Sequence, residues 1–297
     1  MKRNILALAL SALLLTGCGT AAADSAPVQT GNQIPAAQVM PLPDLQYRVE
    51  LKTFEHTSYD EADGAVLATY RAQVPVMTVL LSDGTQLTEA ETAGGQRALE
   101  IAETFNSQFD PWTEEEDFNA LTEDARAAKK TLEADGYTMV GNYAKDLSCT
   151  VYQTEHLISV SGLCYSYTGG AHPNSWQMAW NFDLKNGTFF AGEALATDNA
   201  AFRDAVTQEL LVQARENARD NGMTAEELYM PGYEELLADW GSYTVYFDDS
   251  GMTVAYSPYE LAPYAAGTQE FRLGYEWMAP RLSKRGCEIL ELECSED

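Results

Sequence analysis

YSYTGGAHPNSWQMAWNFDLKNGTFF, Tyr165 to Phe190, is the stretch whose reading decides the fold. Gly169-Gly170 supplies two positions at which a positive φ costs little, so the chain can turn sharply there. Pro173 pushes His172 away from helical geometry and toward an extended shape. Trp176, Met178, Trp180 and Phe182 then alternate with Gln177, Ala179, Asn181 and Asp183. That period of two predicts a strand with a buried aromatic face and a wet polar face. Asn186-Gly187 follows, the dipeptide that best suits a two-residue hairpin turn. A tight corner therefore feeds a hairpin.

Upstream, Tyr137 to Gln153 and Leu157 to Thr168 read as two strands joined by a short turn near Glu155. Ile158 and Val160 share one face, whereas Leu163, Tyr165 and Tyr167 take the other phase. The spacing predicts a bulge at Ser161-Gly162. Earlier still, Leu45 to Glu55 alternates loosely, and Val66 to Leu81 is a strand with Pro75 inside it. Proline cannot donate to a ladder, so that strand should be kinked or lie at an edge. Ser82-Asp83-Gly84 turns the chain. Ala98, Ile101, Ala102, Phe105 and Phe109 fall on one helical face. Pro111 ends that helix, and Thr113 with Glu114-Glu115-Glu116-Asp117 opens the next, its carboxylates at the positive end of the dipole. Asp135-Gly136 stops it.

Downstream, Thr197 or Asp198 caps a helix carrying Phe202, Val206 and Leu210, which ends near Asn221-Gly222. Further helical turns run from Thr224 to Trp240, broken at Pro231-Gly232. Tyr243, Val245 and Phe247 alternate, Asp248-Asp249-Ser250-Gly251 turns, and Met252, Val254 and Tyr256 alternate again: a second hairpin. A proline-punctuated loop from Ser257 to Gly267 precedes a last strand through Phe271, Leu273 and Tyr275. Helices in runs between antiparallel hairpins predict an α+β fold, with helices packed on one face of the sheets.

The N-terminus reads as an address. Lys2-Arg3 precedes an apolar run from Ile5 to Leu15, too short for a spanning helix, which needs about 20 residues. It ends in Leu15-Thr16-Gly17-Cys18, which resembles a bacterial lipobox. Residues 1–17 are then the signal peptide and Cys18 the lipidated residue, with acyl chains contributing about 0.8 kcal/mol per buried methylene. Residues 18–43, poor in aromatics, read as a disordered tether. The expected location is extracytoplasmic, lipid-anchored to the cell membrane.

The chain carries 45 Asp plus Glu against 18 Lys plus Arg, a net charge of −27. Such a surface repels nucleic-acid phosphates and anionic lipid heads and attracts basic proteins. Cys149, Cys164, Cys287 and Cys294 allow three pairings. Local pairing, Cys149–Cys164 and Cys287–Cys294, is expected: the first two lie on neighbouring strands and the last two share a short tail. Their spacings do not suit a zinc tetrahedron. Three histidines, His56, His156 and His172, enter no catalytic motif, and no glycine-rich phosphate loop with Lys is present. No metal or cofactor is expected, and the enzyme question leans to no. His172 at its corner, with Asn174, and Tyr259 and Tyr264 on the proline-rich loop, are the candidate ligand-binding residues. Trp176 and Trp180 could stack on a sugar, but their alternation places them in the core.

Tyr167 to Asn174 and Asn181 to Gly187, followed by Pro258 to Gly267, resemble the RsiV-like extracellular domain family. The same domain pair precedes the catalytic domain of the peptidoglycan deacetylase PdaC. The resemblance covers about Leu45 to Met278 and implies an α+β module of two parts, residues 44–168 and 169–280, followed by a Cys-containing tail, 281–297. It implies a binding module outside the membrane, and it makes lysozyme a plausible partner. Neither a sigma-binding segment nor a zinc triad for deacetylation is present in the sequence. The alternative is an envelope enzyme or carbohydrate-binding module acting on peptidoglycan.

Overall fold

The computed structural model describes residues 45–139, 141–240 and 244–294, which belong to one compact unit, Pro41–Asp297. The signal peptide, Cys18 and the tether lie outside the described residues, as does Tyr243.

Strands β1 (Gln46–Tyr59) and β2 (Val66–Leu80) form a long antiparallel hairpin. Helix α1 (Ala93–Ser107) follows, with the Thr92 hydroxyl accepting the Gly95 N–H at 3.2 Å. Its Ala98, Ile101, Ala102 and Phe105 are buried, as expected from their spacing. After a 3-10 turn at Asp110–Trp112, α2 (Glu115–Ala134) opens on three acidic residues and is stopped by Gly136 at φ +79°. Its N-cap is Glu114, not Thr113.

The chain then returns as β3 (Tyr143–Gln153), which pairs with β2 in parallel over residues 68–73 and 143–148. This parallel seam departs from an all-antiparallel sheet. Pro75 sits just beyond its end, where β2 has β1 alone as a partner, so no ladder donor is missed. Burial along β2 falls on Ala68, Tyr70, Ala72 and Val74 before Pro75, then on Pro75, Met77 and Val79: the proline marks a change of phase. Asn106 of α1 stands in for the missing neighbour, accepting from Met77 N at 2.7 Å and donating to Met77 O at 3.0 Å. At the far edge, Gln153 does the same for β1, accepting from Val49 N and donating to Tyr47 O.

Strands β4 (Leu157–Tyr167), β5 (Asn174–Asp183) and β6 (Thr188–Phe190) complete a six-stranded sheet in sequence order. β4 and β5 pair directly, so the sheet runs on across the expected boundary between residues 168 and 169. The register on both sides of β4 is unbroken at Ser161-Gly162. The expected bulge is absent, and Leu163 and Tyr165 instead face outward, 44% and 37% exposed. Gly162 serves a different purpose: a Cβ there would stand 3.0 Å from the Trp180 ring. The aromatic face of β5 packs on the core as expected, with Phe182 fully buried and Trp176, Met178 and Trp180 half-buried; Phe182 lies edge-on to Phe105 at 5.3 Å and Trp180 to Phe109 at 5.0 Å.

The polar face of β5 is not wet. Asn181 and Asp183 are 5% and 4% exposed because a second layer covers them. That layer holds α3 (Asn199–Asp220), the short helices α4 (Ala225–Leu228) and α5 (Tyr233–Ala238), and a three-stranded antiparallel sheet. Its strands are β7 (Thr244–Asp248), β8 (Gly251–Tyr256) and β9 (Gln269–Gly274). Tyr275 lies beyond the last strand, in α6 (Tyr275–Met278), and α7 (Lys284–Leu290) ends the described chain. Asp198 caps α3, whose Phe202, Val206 and Leu210 pack with Val254, Phe271 and Leu273 of the small sheet. Ser159 Oγ donates to Asn181 Oδ1 at 2.7 Å, Asn181 Nδ2 to Val245 O at 2.8 Å, and Phe247 N to Ser159 Oγ at 2.8 Å. This polar chain joins the two layers, while the Arg285 guanidinium pairs with Asp183.

Cys287 and Cys294 are joined in a disulfide. Cys149 and Cys164 are free and buried, contrary to the expected pairing. The register gives the reason: Cys149 stands opposite Gly162 and Cys164 opposite Leu147, so the two thiols are diagonal neighbours. Such positions lie about 7–8 Å apart, beyond ordinary disulfide reach. Burial raises both thiols to about 12.

Candidate functional site

The corner at Gly169-Gly170 is built as its residues dictate, with φ +85° and +106°. Tyr167 Oη donates to Gly170 O at 3.2 Å across it. The chain leaves through His172, whose Nδ1 lies 2.8 Å from Pro173 O. A carbonyl can only accept, so Nδ1 carries the proton in this contact. Nε2 faces the Tyr259 hydroxyl at 3.4 Å.

Tyr259 comes from the loop that follows β8. Leu261 and Ala262 root that loop in the core, both fully buried, and Met230 N donates to Leu261 O at 2.9 Å. Ser257 holds its other end: Gln177 N donates to Ser257 Oγ and Thr244 Oγ1 to Gln177 O, both at 3.1 Å. The free edge of β5 is thus covered by two hydroxyls. Between these anchors Tyr259 is 53% exposed and adopts φ +72°, a left-handed conformation that side-chain-bearing residues disfavour. Its N–H still finds Ala262 O at 2.9 Å. Tyr264 stacks on His172, ring centres 4.1 Å apart and planes 23° from parallel. Tyr259 stands 6.3 Å from His172 and 5.7 Å from Tyr264.

Three of the four candidate residues therefore meet in one surface cluster. Asn174 is exposed at the start of β5, opposite Ser166, and no contact joins it to the rings. The other two histidines lie elsewhere: His56 stacks on Phe118, and His156 sits in the turn after β3. Among the described residues, no three His, Cys, Asp or Glu side chains gather as a metal ligand set, and no helix is long and apolar enough to cross a membrane.

The reading of the sequence missed a cleft of about 1290 Å³ at the other end of the second layer. Its walls include Glu155 and His156, Asp198, Arg281, Lys284 and the disulfide. No periodicity points to it, because it lies where three separate turns meet.

Residues 193–276 match a family model described as "Protein of unknown function (DUF3298)". The match takes in Tyr259 and Tyr264 but stops short of His172. No curated protein matches the chain. Among solved structures, the fold is similar to a DUF3298 family member from Bacteroides fragilis, at 18% identity and a TM-score of 0.58, covering 82% of this chain and 96% of that one. A DUF3298 family protein from Pseudomonas aeruginosa PAO1 matches at 17% identity, with a TM-score of 0.46 and coverage of 81% and 96%. At 18% identity the likeness to the Bacteroides fragilis protein is one of fold alone.

Proposed function

We propose that the chain is an extracytoplasmic lipoprotein, anchored through Cys18, whose elbow and proline-rich loop form a non-catalytic ligand surface. The observation that carries this reading is the cluster of His172, Tyr259 and Tyr264, assembled from segments 87 residues apart. An exposed tyrosine held in a disfavoured conformation is a reason to look for a role, since such strain persists where the surroundings enforce it. Loops rooted in a rigid scaffold commonly carry binding.

The net charge of −27 favours a basic protein as partner, by steering its approach. Lysozyme is the first partner to test, on that charge and on the resemblance to RsiV-like extracellular domains. Titration with lysozyme at low and at high salt, monitored calorimetrically, should show binding that weakens at least tenfold as salt screens the charge. Tyr259→Gly should weaken it further. No binding at either salt removes lysozyme; binding indifferent to Tyr259 and Tyr264 removes the elbow.

A second reading is a peptidoglycan-binding module, favoured by the stacked faces of His172 and Tyr264, which suit a sugar ring. Co-sedimentation with purified cell wall, lost on Tyr264→Ala, would favour it. Release of soluble wall fragments would overturn the non-catalytic reading.

A further inference from the structure

We propose that the Cys287–Cys294 disulfide is a thiol-exchange site, at which a small thiolate entering the adjacent cleft attacks the Cys294 sulfur. The two sulfurs are not equivalent. Cys287 is 4% exposed, on the buried face of α7 with Ile289 and Leu290, whereas Cys294 is half-buried beyond the helix end. Both line the cleft of about 1290 Å³, which is roomy enough for a tripeptide-sized thiol. Attack on Cys294 therefore leaves Cys287 as the departing sulfur.

Two cations stand at the cleft to meet a thiolate: Arg281 and Lys284 line it, and the Arg281 guanidinium is held over the Trp277 ring at 4.0 Å. Of the four acids on the same walls, Glu288 is paired with Arg285 and Lys185, Glu291 accepts the Glu155 N–H at 2.8 Å and Asp198 caps α3; Glu155 is the fourth.

The exchange balances without a further reactant. The thiolate sulfur bonds to Cys294 Sγ, the Cys287–Cys294 bond breaks, and its electron pair leaves on Cys287 as a thiolate, which takes a proton from water. A second thiolate attacking the added sulfur yields the small-molecule disulfide and frees Cys294. Two thiols are oxidised as one protein disulfide is reduced. Cys149 and Cys164 take no part: both are buried in the sheet core, and burial holds them as thiols.

The test incubates the purified full chain with reduced glutathione in native buffer, quenches with acid and maps each cysteine by peptide mass spectrometry. The expected result is glutathione on Cys294, a free thiol at Cys287, and Cys149 and Cys164 unmodified. Glutathione on Cys287 instead would overturn the proposal. So would an intact disulfide after a time in which urea-unfolded chain is fully modified, or simultaneous modification of Cys149, Cys164, Cys287 and Cys294, which would report global unfolding. Cys287→Ser, which leaves Cys294 unpaired, should be alkylated at Cys294 at least tenfold faster than at Cys149 or Cys164; equal rates would also overturn it.

Discussion

Tyr259 is a residue whose backbone and ring can be tested separately. Tyr259→Gly removes a left-handed conformation that costs an L-residue roughly 1–2 kcal/mol, while also deleting an exposed ring. Stability should hold or rise, read from the urea midpoint, while ligand binding falls; a purely structural tyrosine would lose stability instead. Gly162 gives the opposite outcome. Gly162→Ala places a methyl 3.0 Å from the Trp180 ring, and overpacking of this kind costs about 1–3 kcal/mol, measurable as a lower melting temperature. Asn181→Ala leaves the Ser159 hydroxyl proton without its acceptor and Val245 O without its side-chain donor, though Ser159 Oγ still accepts from Phe247 N, a loss of about 1–3 kcal/mol. These three residues differ in how well the sequence announces them. The Gly-Gly elbow and Gly187 are legible because a positive φ is a local demand, although the turn that Gly187 closes spans four residues, Leu184 to Gly187, and not the expected two. Gly162 reads as a bulge, since nothing local says that Trp180 needs the space. Asn181 reads as wet, since Val245, its partner in the covering layer, lies 64 residues away.

Among elements, α3 is the clearest case of local and global signals agreeing. Asp198 accepts from Ala200 N and Ala201 N, and Leu210 is fully buried. Asp198→Ala should cost about 0.5–2 kcal/mol and Leu210→Ala about 2–5 kcal/mol, both read from the denaturant midpoint with an unchanged slope. Helices α1 and α3 are legible because an apolar period and a stop signal coincide, and α2 because an acidic start and the Asp135-Gly136 stop bracket it. β2 is legible only in part: Pro75 announces an edge, and the edge exists, but the parallel partner that ends just before it comes from seventy residues downstream. The expected Cys149–Cys164 bridge fails at this scale too. Hairpin neighbours were read correctly, but a two-residue offset in register decides whether sulfurs can meet.

For the whole molecule, charge sets the response to solvent. A net charge of −27 repels itself, so raising salt from low to moderate concentration should raise the melting temperature. Acid acts through particular pairs. The Lys129 ammonium donates to Asp60 and Asp63 and holds both carboxyls below their ordinary value of 3.8. A depressed carboxyl stabilises the fold above its ordinary value, and that stabilisation is lost as pH falls through the folded value. Lys129→Gln should therefore flatten the fall in melting temperature below about pH 4. The parallel seam between β2 and β3 sets a temporal order. Each of its flanks, the β1–β2 hairpin and the β3–β6 meander, is wired through neighbours in sequence, while the seam waits on closing a long intervening loop. Assembly should begin as two independent nuclei and finish when they zip together, so those amides of residues 68–73 that bond across to β3 gain their protection last during refolding.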